Sequence, residues 1–220
     1  MQSVCLKSDF WDYYDHWFDR GKGIVFERFS NQGMNRKEML DYLSSLGFKT
    51  PPYGTPSEVL AQIDPQLIEL EEIAREKDDY FLEVVVYLDE RAHRGEGKIV
   101  VPLYKALEEY PKHLCSGFIP PLPGATTSLR YLQVGDRNFW LRYISRNDWR
   151  SNYGDVDISV LSKSIGYHCK IDLPLFAIDF IANTQELFAV DFNTAPGIRH
   201  TGIEDILPAK EAANAIKKAV

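Results

Sequence analysis

The sequence predicts an α+β protein built as two lobes. Helical and strand patterns mix over residues 35–110 without regular βαβ alternation, whereas from residue 127 onward strand follows strand. ProProLeuProGly at 120–124 breaks both periods and sets a boundary near residues 118–127. With 220 residues the chain can form one large domain or two small lobes sharing a core. The expected division is an aromatic-rich extension over 1–34, a first lobe over 35–126 and a second over 127–220.

Residues 9–19 hold Trp11, Tyr13, Tyr14 and Trp17 and read as a short helix, a lid or a partner-facing surface. Met39, Leu40, Leu43 and Leu46 recur at helical spacing over 35–46, with Asn35 as N-cap and Gly47 as stop. A Pro/Gly loop follows at 50–56, then a charged helix from Pro65 to about Lys77. Strands are expected over 80–88 and 98–103, with a short helix over 105–110. In the second lobe strands are expected at 128–134, 138–144, 155–160, 174–181 and 187–192, and Pro208 opens a last helix over 208–219.

Composition narrows the function classes. A net charge of −7 and a pI near 5.3 argue against a general binder of nucleic acid or anionic membranes. Cys5, Cys115 and Cys169 are scattered, odd in number and without zinc spacing, which points to a reducing compartment. No signal-like N-terminus and no run of bilayer length is seen, so the expectation is a cytoplasmic protein.

The most informative stretch is LFAIDFIANTQELFAVDFNTAPGIR, residues 175–199. Two apolar runs separated by AsnThrGlnGlu read as a β-hairpin. Asp191 and Asn193 are two apart and share a strand face, which Asp179 reaches across the pair. Two carboxylates held close repel unless a cation lies between them, and three hard oxygen donors suit Mg²⁺. The alternative is that Asp, Asn, Pro and Gly simply form turns.

A second constellation is FWLRYISRNDWRSNYGDV, residues 139–156. Arg142 and Arg150 can fork around phosphate oxygens, Asn152 adds a polar partner, and Gly154 permits a turn. Arg130, Arg137 and Arg146 complete an island of five arginines, and for Arg137 and Arg146 a solvated strand face is the simpler reading. The histidines are dispersed; only His93 and His200 lie where they could approach a ligand bound here.

Taken in order, these segments resemble the C-terminal lobe of ATP-grasp proteins, closest to RimK-type amino-acid ligases. SLRYLQVGDRNFWLRYISRNDWRSNYGDV and LFAIDFIANTQELFAVDFNTAPGIRHTGIED carry the resemblance over about 127–207. It implies two α+β lobes with nucleotide between them, Arg130, Arg142 and Arg150 on phosphate or substrate, and Asp179, Asp191 and Asn193 on Mg²⁺. Upstream, NRKEMLDYLSSLGFKTPPYGT is similar to the segment bearing a first ATP-binding lysine, which assigns Lys37. EVVVYLDERAHRGEGKIVV resembles the strand–loop–strand that covers the triphosphate. A second lysine would match Val86 or Tyr87, so Lys98 or Arg94 is expected to supply that charge. Phe118 and Ile119 match the adenine hinge, with Gly117 where an acidic residue is usual, and Asp191 stands where Glu is usual.

The resemblance implies an ATP- and Mg²⁺-dependent ligase that activates a carboxylate as an acyl-phosphate, releases ADP and passes the acyl group to an amine. Positioning and charge neutralisation carry such chemistry, which suits a sequence without a convincing Ser/His/Asp set. Residues 1–34 stand where these ligases carry a separate domain that helps hold the acceptor, so a form truncated at the N-terminus is expected. The expected partners are ATP, an unidentified carboxylate or amine substrate, and a second copy or partner subunit. The alternative is a degenerate module that binds Mg-nucleotide or a protein partner without turnover.

Overall fold

The computed structural model describes residues 3–5, 25–27, 34–76, 79–90, 96–121, 125–162, 171, 173–183, 186–193, 196 and 200–219. The expectations for residues 9–19, His93 and Arg94 fall outside them.

Short strands β1 (Ser3–Cys5) and β2 (Val25–Glu27) pair in parallel. Helix α1 (Arg36–Ser45) starts at a capping box: Glu38 N–H donates to Asn35 Oδ1 at 2.9 Å, and Asn35 N–H donates to Glu38 Oε2 at 2.8 Å. Its buried residues are Met39, Leu40 and Leu43, and Gly47, at φ +82°, ends the segment in the left-handed region. The Pro/Gly loop proves to be structured. It holds β3 (Tyr53–Gly54) and α2 (Pro56–Leu60), which Thr55 and Glu58 cap reciprocally. Helix α3 (Pro65–Arg75) has Asp64 as cap and Pro65 in its first turn.

Strands β4 (Glu83–Tyr87), β5 (Lys98–Pro102) and β6 (Cys115–Gly117) join β3 in an antiparallel sheet of order β3-β6-β4-β5, backed by α4 (Leu103–Glu109). Val59, Val84, Val86, Leu103 and Ala106 form its core.

The second sheet is antiparallel, of order β11-β10-β7-β8-β9: β7 (Thr126–Val134), β8 (Arg137–Ser145), β9 (Val156–Val160), β10 (Leu175–Ala182) and β11 (Leu187–Asn193). It is covered on both faces, so β10 reads as an almost unbroken apolar run rather than an alternation. One face puts Tyr131, Trp140, Phe176, Ile178 and Phe180 against Leu43 of α1 and Phe48. The other puts Leu132, Val134, Leu141, Leu175 and Ala177 against α5 (Ile203–Ile206) and α6 (Ala209–Ala219), through Ile203, Ala212 and Ile216. Helix α1 thus precedes the four-stranded sheet in sequence but packs on β11 of the five-stranded one.

Candidate functional site

Register decides which charged side chains meet. Asp179 of β10 lies opposite Asp191 of β11 on one side and Arg130 of β7 on the other. Directly paired residues share a face, and it is the face that carries Leu175 and Ala177. Where the C-terminal helices no longer cover that face, it opens into a cleft of about 320 Å³ between the two sheets. A bulge between Asp179 and Phe180 shifts the register against β11, and both Val190 and Asp191 line the cleft.

Arg130 grips Asp179 with a fork. Its Nε and Nη2 donate to Oδ1 and Oδ2 at 2.6 and 2.7 Å, while Nη1 donates to the Tyr143 hydroxyl at 3.1 Å. Both side chains are nearly buried, at 12% and 13% exposure. Burial, the largest single influence, opposes the charge on Arg130, but Asp179, Tyr143 and Asp191 together outweigh it, so the guanidinium is held protonated above its ordinary value. Arg36 approaches from the first turn of α1. Its Nη1 donates to Asp191 Oδ1 at 2.8 Å and, at 3.4 Å, to the Val190 carbonyl. Its buried Nε–H finds no acceptor among the described residues.

The opposite wall comes from the first sheet. Lys98 pairs in register with Tyr87, and its ammonium lies 5.5 Å from the centroid of the Trp149 ring. No carboxylate of the described residues forms an ion pair with it. Burial, followed by the nearby Arg36 charge, pushes the Lys98 amine down to about 8. Arg150 is clamped by its own loop: Nε and Nη2 each donate to the Asp148 carboxylate at 2.7 Å, and its guanidinium carbon sits 3.5 Å from the Tyr153 ring centroid. Asp148 is held below the usual carboxylate range, first by that hydrogen bond. Phe118 and Ile119 supply apolar surface, and Phe118 meets Trp149 edge-on at 5.8 Å.

The cleft therefore gathers Lys98, Phe118, Ile119, Arg130, Arg150, Asn152, Asp179, Asp191 and Asn193, all expected from the sequence. Two of the expected residues lie outside the cleft lining. Lys37 is exposed and paired with Asp41 at 2.9 Å, one helical turn on, because α1 turns Arg36, not its neighbour, toward the cleft. Arg142 is exposed on the other face of β8: Arg130 pairs with Leu141, so Arg142 pairs with Leu129 and points away. His200 is likewise exposed and outside the cleft lining. The signal for Arg36 was available in the sequence, since residues 36, 40 and 43 share one helical stripe.

The cleft is locally cationic. Arg36, Lys98, Arg130 and Arg150 line it against Asp179 and Asp191, with Asp148 paired to Arg150 just behind the wall, in a chain of net charge −7. With the orphaned Arg36 Nε–H and the uncompensated Lys98, the donor set fits a polyanion beside an apolar pocket. The repulsion expected between Asp179 and Asp191 is relieved by guanidinium groups. Among the described residues no three His, Cys, Asp or Glu side chains form a metal-binding group, and the third donor is the Asn193 amide. A carboxylate offers roughly four lone-pair positions, so the arginine contacts leave oxygen sites open to a divalent cation.

No protein-family model and no curated protein matches the sequence. Solved structures do match. D-alanine–D-alanine ligase from Bacillus anthracis, complexed with ATP, aligns over 99% of this chain and 95% of its own with 11% identity and a TM-score of 0.52. Macrocyclase MdnC of Microcystis aeruginosa, bound with precursor peptide MdnA, aligns over 83% of this chain with 16% identity and a TM-score of 0.45. A RiPP-associated ATP-grasp ligase of Chryseobacterium gregarium, with ADP and a leader and core peptide, aligns over 80% with 14% identity and a TM-score of 0.44. This chain spans 59% and 56% of the length of those last two. The chain has the α+β fold of ATP-grasp structures, two antiparallel sheets included. At this identity the likeness is one of fold.

Proposed function

We propose that the chain is an ATP- and Mg²⁺-dependent carboxylate–amine ligase of the ATP-grasp type, forming ADP. The observation that carries this reading is the convergence of four cations and the Asp179/Asp191/Asn193 set in one cleft between two sheets. The D-alanine–D-alanine ligase of like fold is complexed with ATP, which supports a nucleotide in that cleft.

In this reading Phe118 and Ile119 pack the base, while Lys98, Arg36 and Arg150 receive phosphate oxygens. Asp179, Asp191 and Asn193 would hold Mg²⁺, which supplies charge neutralisation and orientation of the phosphates. Arg130 keeps Asp179 in one rotamer through its two-pronged grip. Transfer of the γ-phosphoryl group to a carboxylate, with ADP leaving, and attack of an amine on the acyl carbon, with phosphate leaving, then need positioned charge more than side-chain acid–base work.

Calorimetric titration of ATP with and without Mg²⁺, repeated on Asp191→Ala and Asn193→Ala, tests the site. Mg²⁺-dependent binding that both substitutions weaken, with folding retained, is expected; unaltered binding in both variants would remove the metal assignment. A second reading, nucleotide binding without turnover, draws support from Arg130 engaging both oxygens of Asp179. ADP release on addition of carboxylate and amine acceptors separates the two.

A further inference from the structure

The two arginines that meet the carboxylates are held very differently. Arg130 spends three N–H groups on Asp179 and Tyr143 and is fixed between two central strands. Arg36 makes one short contact, from Nη1 to Asp191 Oδ1 at 2.8 Å, and a longer one to the Val190 carbonyl. Its Nε–H is buried without an acceptor among the described residues. Asp191 is the more open carboxylate, at 27% exposure against 13% for Asp179, and its Oδ2 accepts no hydrogen bond there. A buried guanidinium with a spare donor and a single-pronged grip is poised to exchange partners.

We propose that Arg36 is the placeholder counter-ion of Asp191, so that the cleft admits a divalent cation together with a nucleotide and not before it. This rests on the ligase-site reading above and goes beyond it by assigning an order of binding. A free divalent cation seated on the open Oδ2 of Asp191 would stand beside a guanidinium that is only 12% exposed, and like-charge repulsion would drive the arginine off its carboxylate. That would leave a buried charge uncompensated, which is costly. A triphosphate changes the balance, because its oxygens take over the displaced Arg36, including the idle Nε–H, while the metal takes Asp191. Metal and nucleotide affinities then reinforce each other, and the coupling is reciprocal.

The test uses the full chain and Mn²⁺ as probe. Free Mn²⁺ is measured by electron spin resonance, and ATP binding by calorimetry with and without Mn²⁺. Wild type should bind free Mn²⁺ poorly and Mn²⁺–ATP well. Arg36→Gln should change the two affinities in opposite directions, tightening free Mn²⁺ and weakening Mn²⁺–ATP, each on the order of tenfold for loss of one charged contact. A structural role for Arg36 would weaken both together, and free Mn²⁺ affinity unchanged or lowered in a folded Arg36→Gln overturns the proposal. Lys37→Gln, on the solvent side of the same helix, controls for net charge and should alter neither affinity. One arm needs no variant: in wild type, saturating ATP must raise Mn²⁺ affinity by more than Mn²⁺–ATP association in solution accounts for, and failure here also overturns the proposal. Should wild type bind no ATP at all, the ligase reading and this order of binding fall together, whereas ATP binding that leaves Mn²⁺ affinity unchanged overturns the order of binding alone.

Discussion

Lys98 offers a pH-dependent signature of nucleotide binding. It lines the cleft without a carboxylate partner among the described residues, and its amine is pushed from 10.5 down to about 8, by burial first and Arg36 second. A bound triphosphate provides the missing negative charge and lifts that value back toward the ordinary range. Binding should therefore take up protons. At pH 8 the free protein carries Lys98 half protonated and the complex carries it almost fully protonated, giving an uptake of roughly half a proton per ATP. Between pH 7.5 and 9 the protonated fraction of the free protein falls from most of the molecules to a small minority, so affinity should fall by up to roughly tenfold, about 1 kcal/mol.

Calorimetry in two buffers of different ionisation enthalpy measures the uptake directly, and Lys98→Met should abolish it and flatten the pH profile. Affinity independent of pH with no uptake at pH 8, or the same uptake in Lys98→Met, would refute the reasoning. Stability has the opposite sign from the usual salt-bridged lysine. The folded value lies below the unfolded one, so the charged form is penalised below pH 8, and stability grows as pH rises from about 8 toward 10.5. The penalty at neutral pH is on the order of 3 kcal/mol. Lys98→Met should accordingly raise the Tm at pH 7 and lose that advantage near pH 10.5.

Asp179→Asn leaves Arg130 buried beside a neutral amide and should cost about 3 kcal/mol in urea unfolding, whereas Arg142→Gln on the exposed face should stay within about 0.5 kcal/mol. Equal costs would show that the buried pair does not anchor the sheet. Gly135 turns β7 into β8 at φ +61°, and a Cβ there would collide with the backbone carbonyl of Ala215 in α6. Gly135→Ala should therefore displace α6 and cost about 2 kcal/mol or more, read from the same unfolding curves. Arg150→Ala should weaken ATP on the order of tenfold while leaving adenosine nearly unchanged, and equal losses for both would make Arg150 a structural clamp.

Much of the site was legible because strand chemistry is local. Two apolar runs around AsnThrGlnGlu pair as expected, with Asn183 N–H donating to the Glu186 carbonyl at 3.1 Å across the turn. The two-residue period placed Asp191 and Asn193 together. What misled was parity. Whether Arg142 or Tyr143 faces the cleft depends on pairing with β7, and neither β7 nor β8 states that register alone. Short strands such as Cys115–Gly117 and Tyr53–Gly54 carry little propensity of their own and exist through their neighbours. Glu71 looked like one of many helical charges, yet it is buried, its Oε2 accepting the Phe81 and Leu82 N–H groups at 3.0 Å.

Sequence by itself determined the α+β class, the hairpin, the caps of α1 and the inventory of charged groups, because each follows from periods and contacts within a few residues. Only the tertiary structure decided which charges meet. It turned Arg36 rather than Lys37 toward the cleft, set Arg130 on Asp179 across 49 positions of chain, and buried Lys98 with no carboxylate partner among the described residues. The physical reason is range. Hydrogen-bonded turns and strand periods are settled locally, whereas burial and ion pairing depend on distances in space that only the packed sheets impose.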